Sequence, residues 1–174
     1  MSRDLEGVAG SGLSGLAELY RRHAPYGRRL AYLLTGDEAL AEDLVQEAFA
    51  RLVGRLAHLR DRGAFEAYLR RTIVNLSKNY FRRRSVERSY LAREAAFPSG
   101  TLKEPDVVAR EGMRQALLAL PARQRAAIVL RYYEDLPDQQ IAEILRCPRG
   151  TVRSLVTRGV QTLRTNVRGE SHDD

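Results

Sequence analysis

Apolar residues recur every three to four positions through most of this chain, which is the spacing of residues on one face of an α-helix. The pattern runs from Leu16 to about Tyr90 and returns from Asp106 to about Val167. No segment alternates apolar and polar residues over the length of a strand. The pattern therefore predicts an all-α protein.

Interruptions of this pattern predict the boundaries of helices and domains. Gly36 and Asp37 interrupt the first helical run, and residues 60–63 interrupt the second. Residues 97–105 read Phe-Pro-Ser-Gly-Thr-Leu-Lys-Glu-Pro, a composition typical of a linker. We predict two small helical domains joined by a flexible linker, with a disordered tail 1–12, an N-terminal domain 13–92, the linker 93–105, a C-terminal domain 106–168 and an acidic tail 169–174.

The charge of the chain indicates an anionic partner. Its formal net charge is +7 and its pI is about 10.0. All of its basic residues except Lys78 and Lys103 are arginines, which suit bidentate contacts with phosphate and guanine. An arginine bias from a GC-rich genome explains the same composition, and the two explanations are compatible.

The composition also argues against several classes of protein. Cys147 is the single cysteine, so we expect neither a disulfide framework nor a thiolate metal site. No apolar run approaches the ~18 residues of a membrane span, and the N-terminus lacks the apolar core of a signal peptide. We therefore expect a cytoplasmic protein without membrane insertion.

Residues 38–56 predict an amphipathic helix with an acidic face. The apolar residues on one face are Ala41, Leu44, Val45, Ala48, Leu52 and Leu56, and the opposite face holds Glu42, Asp43, Gln46 and Glu47. No basic residue lies between Asp37 and Glu47. Such a face can be a solvated surface near a helix N-terminus, or a docking face for a basic protein surface. A metal site at Asp43 and Glu47 would need a His or third acid, and none is suitably spaced.

Residues 65–84 predict a second amphipathic helix that is basic and aromatic. Its expected core stripe is Phe65, Leu69, Ile73 and Leu76, and Arg71, Asn75, Lys78 and Arg82 form a line on another face. Arg and Lys neutralise phosphates, and Asn can hydrogen-bond a base edge. Tyr68, Tyr80 and Phe81 are candidates for stacking on exposed bases. The alternative is a solvated amphipathic helix with ordinary core aromatics.

Residues 141–154, Ile-Ala-Glu-Ile-Leu-Arg-Cys-Pro-Arg-Gly-Thr-Val-Arg-Ser, are typical of a helix-turn-helix. Ala142 is small where two helices would cross, and Val152 is an apolar anchor. Cys147 and Pro148 are predicted as the N-cap and first residue of the second helix. A preceding helix that starts at Pro121 is expected to bury Ile128, Val129 and Tyr132.

The second helix of this motif is predicted to be the recognition helix. Val152, Val156, Val160, Leu163 and Val167 are expected to face the core, and Gly150, Arg153, Ser154, Thr157, Arg158 and Gln161 to face outwards. Ser154, Thr157 and Arg158 are candidates for base edges, and Arg149 and Arg153 for phosphates. A plain helical hairpin is the alternative. Arg146 is in the turn, where Gly is common, and the left-handed backbone expected there should cost a non-glycine residue about 1 kcal/mol of stability. Gly159 should weaken the interior of the helix by about 1 kcal/mol relative to Ala.

Taken together, these three segments resemble the extracytoplasmic-function (ECF) sigma factors of bacterial RNA polymerase, of the sigma-E-like type. The resemblance covers about residues 16–90 and 106–167, and it rests on the order and separation of the motifs. It implies a promoter-recognition subunit that is not an enzyme and needs no cofactor or metal. Its partners would be core polymerase, through the clamp helices of the largest subunit and the flap of the second-largest, promoter DNA and an anti-sigma factor. We expect a monomer when the chain is free.

The resemblance also implies roles for individual residues. The polymerase contacts would be Asp37, Glu42, Asp43, Gln46 and Glu47; the minus-ten contacts would be Tyr68, Arg71, Asn75, Lys78 and Arg82; and the minus-thirty-five contacts would be Arg149, Arg153, Ser154, Thr157 and Arg158. The loop 59–63 would shape a pocket for a flipped base. Tyr68 replaces a common Trp, Pro137 replaces a capping Ser or Thr, and Leu155 replaces a common basic residue.

Two rival functions explain less of the sequence. A stand-alone helix-turn-helix regulator accounts for the C-terminal half but not for the acidic face or the basic-aromatic helix. It also predicts dimerisation on a palindrome, and no dimerisation helix is evident. A hydrolase based on Asp43 and Glu47 lacks a nucleophile and a phosphate loop, and His23, His58 and His172 lie in unrelated contexts.

Overall fold

The computed structural model describes the backbone of residues 4–53, 62–91 and 105–169, with side chains over 15–52, 64–85 and 112–165. Within these ranges every regular element is helical, which confirms the predicted all-α class. The elements are α1 (Asp4–Thr35), α2 (Glu38–Val53), α3 (Arg62–Leu91), α4 (Pro105–Ala119), α5 (Ala122–Ile128), which continues into a π-helical turn (Val129–Tyr133), α6 (Asp138–Leu145) and α7 (Arg149–Gly169).

The structure describes part of the predicted N-terminal tail and, of the predicted C-terminal tail, only Gly169. Residues 4–12 belong to α1, where the sequence predicts a disordered tail. Most of the predicted linker and all of residues 170–174 lie outside the described residues, so the division into domains on either side of the linker stays a prediction.

The helices group into two compact units. The first contains α1 up to Tyr32, α2, and α3 up to Ile73. Its core contains the predicted apolar face of α2 and the predicted stripe of α3: Ala41, Leu44, Val45, Ala48, Leu52, Phe65, Leu69 and Ile73 are each at most 5% exposed. Leu30 and Ala31 of α1 complete this core. Leu56 lies outside the described residues.

The second unit contains the end of α1, α3 from Val74 onwards and α4 to α7. Gly36 ends α1 with φ +71°, a conformation that favours glycine. A Cβ atom at this position would lie 2.3 Å from Leu118 Cδ1, so Gly36 also permits close packing against α4. The predicted interruption at Gly36 and Asp37 therefore marks a true helix boundary.

The π-helical turn corrects one prediction about the helix that precedes the helix-turn-helix. Ile128 and Val129 are buried as predicted, but Tyr132 is 65% exposed. In this turn Glu134 N donates to Val129 O, five residues back, which shifts the angular position of the residues that follow. Tyr132 and Tyr133 therefore line an open apolar groove of about 340 Å³ together with Met113, Leu117 and Leu163.

Local geometry of the helix-turn-helix follows the sequence with a shift of one residue. Arg146 has φ 52°, the left-handed conformation predicted for it, and Cys147 N donates to Ala142 O at 3.0 Å. The recognition helix α7 begins at Arg149 rather than at Pro148. Pro148 is the residue before the helix, and its carbonyl accepts bonds from Thr151 N and Val152 N.

Gly159 lies where α7 crosses α5. A Cβ atom here would lie 2.9 Å from Ile128 Cγ1 and 3.2 Å from Ile128 Cδ1, and Ile128 itself is buried. The missing side chain therefore permits close packing of the two helices. This packing offsets the loss of helix propensity that the sequence predicts.

We expect Gly159→Ala to lower the free energy of unfolding by about 1 kcal/mol, because overpacking costs more than the propensity gain of alanine. Gly150→Ala on the same helix is the matched control, since nothing lies within 4 Å of its Cβ position. It should be neutral or stabilising. Urea denaturation followed by circular dichroism measures both, and equal effects would contradict the packing argument.

Candidate docking and nucleic-acid interfaces

The acidic face of α2, defined here as Glu42, Asp43, Gln46 and Glu47, lies opposite the buried face of the helix. Asp43, Gln46 and Glu47 are exposed, and Glu42 is half-buried. Glu47 forms an ion pair with Arg51, one turn further along α2. Three side chains of the face are thus available to an incoming partner.

Glu42 is held by contacts with α1. Tyr20 Oη donates to Glu42 Oε1 at 2.8 Å, and Arg28 Nη1 donates to Glu42 Oε2 at 3.0 Å. The hydrogen bond from Tyr20 lowers the pKa of the Glu42 carboxyl, with smaller contributions from Arg28 and Gln46, although partial burial opposes them. The same bond raises the pKa of Tyr20. Glu42 therefore anchors the acidic face to α1 rather than extending freely from it.

Asp37 has a structural role at the start of α2. Its Oδ1 accepts a hydrogen bond from Leu40 N at 2.9 Å, which is the geometry of an N-cap. The predicted polymerase contacts therefore divide into two supporting residues, Asp37 and Glu42, and three exposed ones. Sequence reasoning missed Tyr20 and Arg28, because nothing in the spacing of α2 indicates which residues of another helix will meet it.

The predicted minus-ten residues are on α3. Arg71 and Arg82 are exposed, and Tyr68, Asn75 and Lys78 are partly buried. Leu76, the last residue of the predicted core stripe, is 5% exposed. Of the predicted loop 59–63, residues 59–61 lie outside the described residues and residues 62–63 begin α3, so the base pocket stays a prediction.

Lys78 has a partner that the sequence did not indicate. Its Nζ donates to Leu145 O at 3.2 Å, at the end of α6. Burial lowers the pKa of the Lys78 ammonium, and the nearby arginines 123, 146 and 82 contribute in the same direction. This hydrogen bond uses one of the three N–H donors of the Lys78 ammonium.

The aromatic residues near the end of α3 contact neighbouring side chains. The rings of Tyr80 and Phe81 meet edge to face with their centroids 5.3 Å apart. Arg84 Nη1 donates to Tyr80 Oη, and the Arg125 guanidinium lies 4.9 Å from the centre of the Phe81 ring. One face of Phe81 is thus already covered by a cation.

The outer face of α7 has the composition predicted for a DNA-reading surface. Arg149, Arg153, Ser154, Thr157 and Arg158 are all exposed, and residues 149–169 contain no acidic residue. Val152 is fully buried, whereas Val156, Val160 and Leu163 are partly buried. Ser154 Oγ donates to Gly150 O at 3.1 Å, which leaves the hydroxyl oxygen able to accept a bond from a base.

The described residues give no sign of a metal site or a membrane span. No group of three or more His, Cys, Asp or Glu residues within the described ranges could hold a metal ion. In the same ranges, no helix is both long and apolar enough to cross a membrane.

Family comparisons match two regions of the chain. A sequence model described as Sigma-70 region 2 matches residues 19–87, which include α2 and most of α3. A second model, Sigma-70 region 4, matches residues 110–163, which include α5, α6 and most of α7. The matched regions thus contain the acidic face, the basic-aromatic helix and the helix-turn-helix.

Curated relatives are sigma factors. The chain is 37% identical over 153 residues to the ECF RNA polymerase sigma factor SigE of Mycolicibacterium smegmatis, a match that covers 84% of this chain and 59% of that protein. It is 32% identical over 154 residues to SigW of Bacillus subtilis, covering 80% and 82% of the two chains. It is 34% identical over 149 residues to the sigma-E factor of Escherichia coli, covering 78% and 76%.

A solved structure has a similar fold. It is the sigma factor RpoE of Bartonella quintana in complex with the anti-sigma factor NepR. The TM-score is 0.66 at 23% identity, and the match covers 91% of this chain and 98% of the other. At this identity the likeness concerns the fold.

Proposed function

Because this chain belongs to the ECF sigma factors of bacterial RNA polymerase, which direct promoter-specific initiation, we propose that three of its surfaces perform this function. They are the acidic face of α2, the basic-aromatic helix α3 and the outer face of α7. One observation carries the proposal. The same chain exposes an acidic face on α2, inside region 2, and has an α7 free of acidic residues, most of which lies inside region 4. A protein that only bound DNA would have no use for the acidic face.

The acidic face of α2 docks on the clamp helices of the largest polymerase subunit. Asp43, Gln46 and Glu47 make the direct contacts, and Glu42 holds the face in place through Tyr20 and Arg28. Asp37 acts indirectly, by capping the helix. The flap of the second-largest subunit is the second polymerase contact.

The predicted line on α3 engages the melting minus-ten strand through the exposed Arg71 and Arg82 and the partly buried Asn75 and Lys78, with Tyr68 as a stacking surface. Phosphate contacts by the basic residues position the strand, and Asn75 reads a base edge. Lys78 joins this set through the N–H donors of its ammonium that the carbonyl of Leu145 does not use. Taking a base out of its stack costs a few kcal/mol, so a well-matched element is needed.

Recognition of the minus-thirty-five duplex falls to α7. Its N-terminal half enters the major groove, with Ser154, Thr157 and Arg158 near base edges and Arg149 and Arg153 on phosphates. Each of these contacts is weak alone. Docking on polymerase raises the effective concentration of the others, so specific binding requires the whole assembly.

Several further features follow from this role. The chain is not an enzyme, needs no cofactor, is a monomer when free and acts in the cytoplasm, where its polymerase is. An anti-sigma factor is its expected regulator. The second candidate function, a stand-alone helix-turn-helix regulator, is favoured by the geometry of α6 and α7 alone.

Run-off transcription tests the proposed function. Purified core polymerase is incubated with genomic promoter fragments, with and without the full chain. We expect discrete new transcripts that require the chain, and weak, steeply salt-dependent DNA binding by the chain alone. Tight, specific promoter binding without polymerase, or no new transcripts, would instead support the stand-alone regulator.

A further inference from the structure

Asp138, the first residue of α6, bridges two arginines from different elements. Its Oδ1 accepts a hydrogen bond from Arg131 Nη2, in the π-helical turn, and its Oδ2 accepts one from Arg153 Nε on α7 at 3.1 Å. The Asp138 side chain is 14% exposed, whereas that of Arg153 is 69% exposed. The motif in the sequence gave no role to Asp138.

We propose that Asp138 is a positioning residue that holds the Arg153 guanidinium ready for DNA. The inference rests on the proposed function, which assigns Arg153 to a phosphate of the minus-thirty-five element. A guanidinium is planar and carries donors on all three nitrogens. A bond at Nε fixes this plane and leaves the two terminal nitrogens of an exposed side chain for a phosphate.

The surroundings of Asp138 favour positioning over a simple local ion pair. Arg131 binds the carboxylate oxygen that Arg153 does not use, and the N-terminus of α6 stabilises a negative charge there. The cluster contains two guanidinium groups and one carboxylate, so it remains cationic towards DNA. An unanchored arginine would lose much more rotamer freedom when it binds a phosphate.

If only the net charge of the surface mattered, removing the Asp138 carboxylate would strengthen DNA binding rather than weaken it. Without Asp138 the surface becomes more positive, and every DNA duplex should bind more tightly. Positioning instead predicts a loss on the matched promoter, because only there do the base contacts of α7 hold Arg153 in register with its phosphate. The two explanations therefore differ in the sign of the change in discrimination.

The experiment uses holoenzyme reconstituted from core polymerase and the full chain, on a promoter recovered by run-off transcription. The readout is the ratio of initiation on this promoter to initiation on the same promoter with a scrambled minus-thirty-five element. We expect Asp138→Asn to lower the ratio about three- to tenfold, the range for losing the order of one flexible side chain. A rise, or equal tightening on both templates, would overturn the proposal.

Two further variants separate positioning from a merely structural role. Glu143→Gln removes the same charge from an exposed site on α6 and should leave the ratio unchanged. Arg153→Ala should lower the ratio, and adding Asp138→Asn in that background should have no further effect. If Asp138→Asn lowers the ratio as much in the Arg153→Ala chain as in the parent chain, Asp138 acts on α6 itself rather than on Arg153. That result would overturn the proposal.

The proposed function and this inference can fail separately. If Arg153→Ala leaves the ratio unchanged while the parent chain still directs transcription, the positioning role is wrong and the sigma-factor role stands. If the parent chain directs no transcription, the proposed function fails first. Thermal melts of each variant establish that the fold is retained.

Discussion

Reversing Asp43 and Glu47 to lysine should lower promoter-directed run-off transcription at least about a hundredfold. Both side chains are exposed on the acidic face of α2, where they would meet a basic surface of the polymerase. Couplings between close charge pairs at interfaces are about 1.5–7 kcal/mol, and each 1.4 kcal/mol is a factor of ten in affinity. Two reversals therefore remove most of the holoenzyme at ordinary concentrations.

A single reversal has a well-matched control on α1. Glu47 pairs with Arg51 one turn away, and Glu18 pairs with Arg21 in the same manner. Both glutamates are well exposed, at 49% and 59% of the side chain, so each reversal loses a surface ion pair of at most about 1 kcal/mol. Glu47→Lys should weaken binding to core polymerase, and Glu18→Lys should not.

The measurement is a titration of core polymerase with each labelled variant, followed by run-off transcription at saturating chain. Activity of the double variant that recovers at high concentration would place the defect in docking. Equal losses for Glu47→Lys and Glu18→Lys would mean that net charge, rather than the acidic face, sets the affinity. In that case the acidic face of α2 would be an ordinary solvated helix surface rather than a docking face.

Sequence periodicity predicts which side of α2, α3 and α7 faces the core, because burial repeats with the turn of the helix. The described residues of the apolar faces of α2 and α3 are buried as expected, and the six outward positions predicted on α7 are exposed: Gly150, Arg153, Ser154, Thr157, Arg158 and Gln161. These predictions needed only local information.

The errors and omissions concern contacts between helices, which no local spacing encodes. The apolar pattern predicts a buried Tyr132 because it assumes an uninterrupted α-helix, and the π-helical turn breaks that assumption. Helix propensity alone marks Gly159 as a weak position, because its neighbour Ile128 is on another helix. The spacing of α2 places Glu42 on the acidic face and the family resemblance implies it as a polymerase contact, but Tyr20 and Arg28 approach it from α1.

Arg125 makes contacts between helices that we expect to contribute strongly to the free energy of unfolding. It is a buried arginine, 5% exposed, with no carboxylate partner among the described residues. Its guanidinium donates instead to three backbone carbonyls, those of Leu34, Leu118 and Leu120, at 2.6, 2.9 and 3.0 Å. Desolvation lowers the pKa of this group, so the hydrogen bonds must offset a cost of burial.

The three carbonyls explain why a cation is tolerated here. Leu34 is in the last turn of α1 and Leu118 is in the last turn of α4, where carbonyl groups have no partner within their own helix. Both helix ends carry partial negative charge from the helix dipole, which favours a guanidinium. The ring of Phe81 covers one face of the same group. Arg125 thus satisfies several groups that would otherwise be unpaired.

We therefore expect Arg125→Met to lower the free energy of unfolding by about 2–4 kcal/mol, because a buried carbonyl without a donor costs about 1–3 kcal/mol. Relief of the buried charge offsets part of that loss. Arg125→Lys should retain an intermediate stability, since an ammonium can reach some of the carbonyls but lacks the planar fork. Arg123→Met, at an exposed position of the same helix, should change stability by less than about 0.5 kcal/mol.

Urea denaturation of the full chain, followed by far-ultraviolet circular dichroism, ranks the three variants. An unchanged slope with denaturant, together with a lower midpoint, assigns the change to stability rather than to a different folded state. If Arg125→Met is as stable as the parent, the carbonyls find other donors and the guanidinium is dispensable. If Arg125→Lys is as stable as the parent, the charge alone suffices and the planar geometry of arginine contributes nothing.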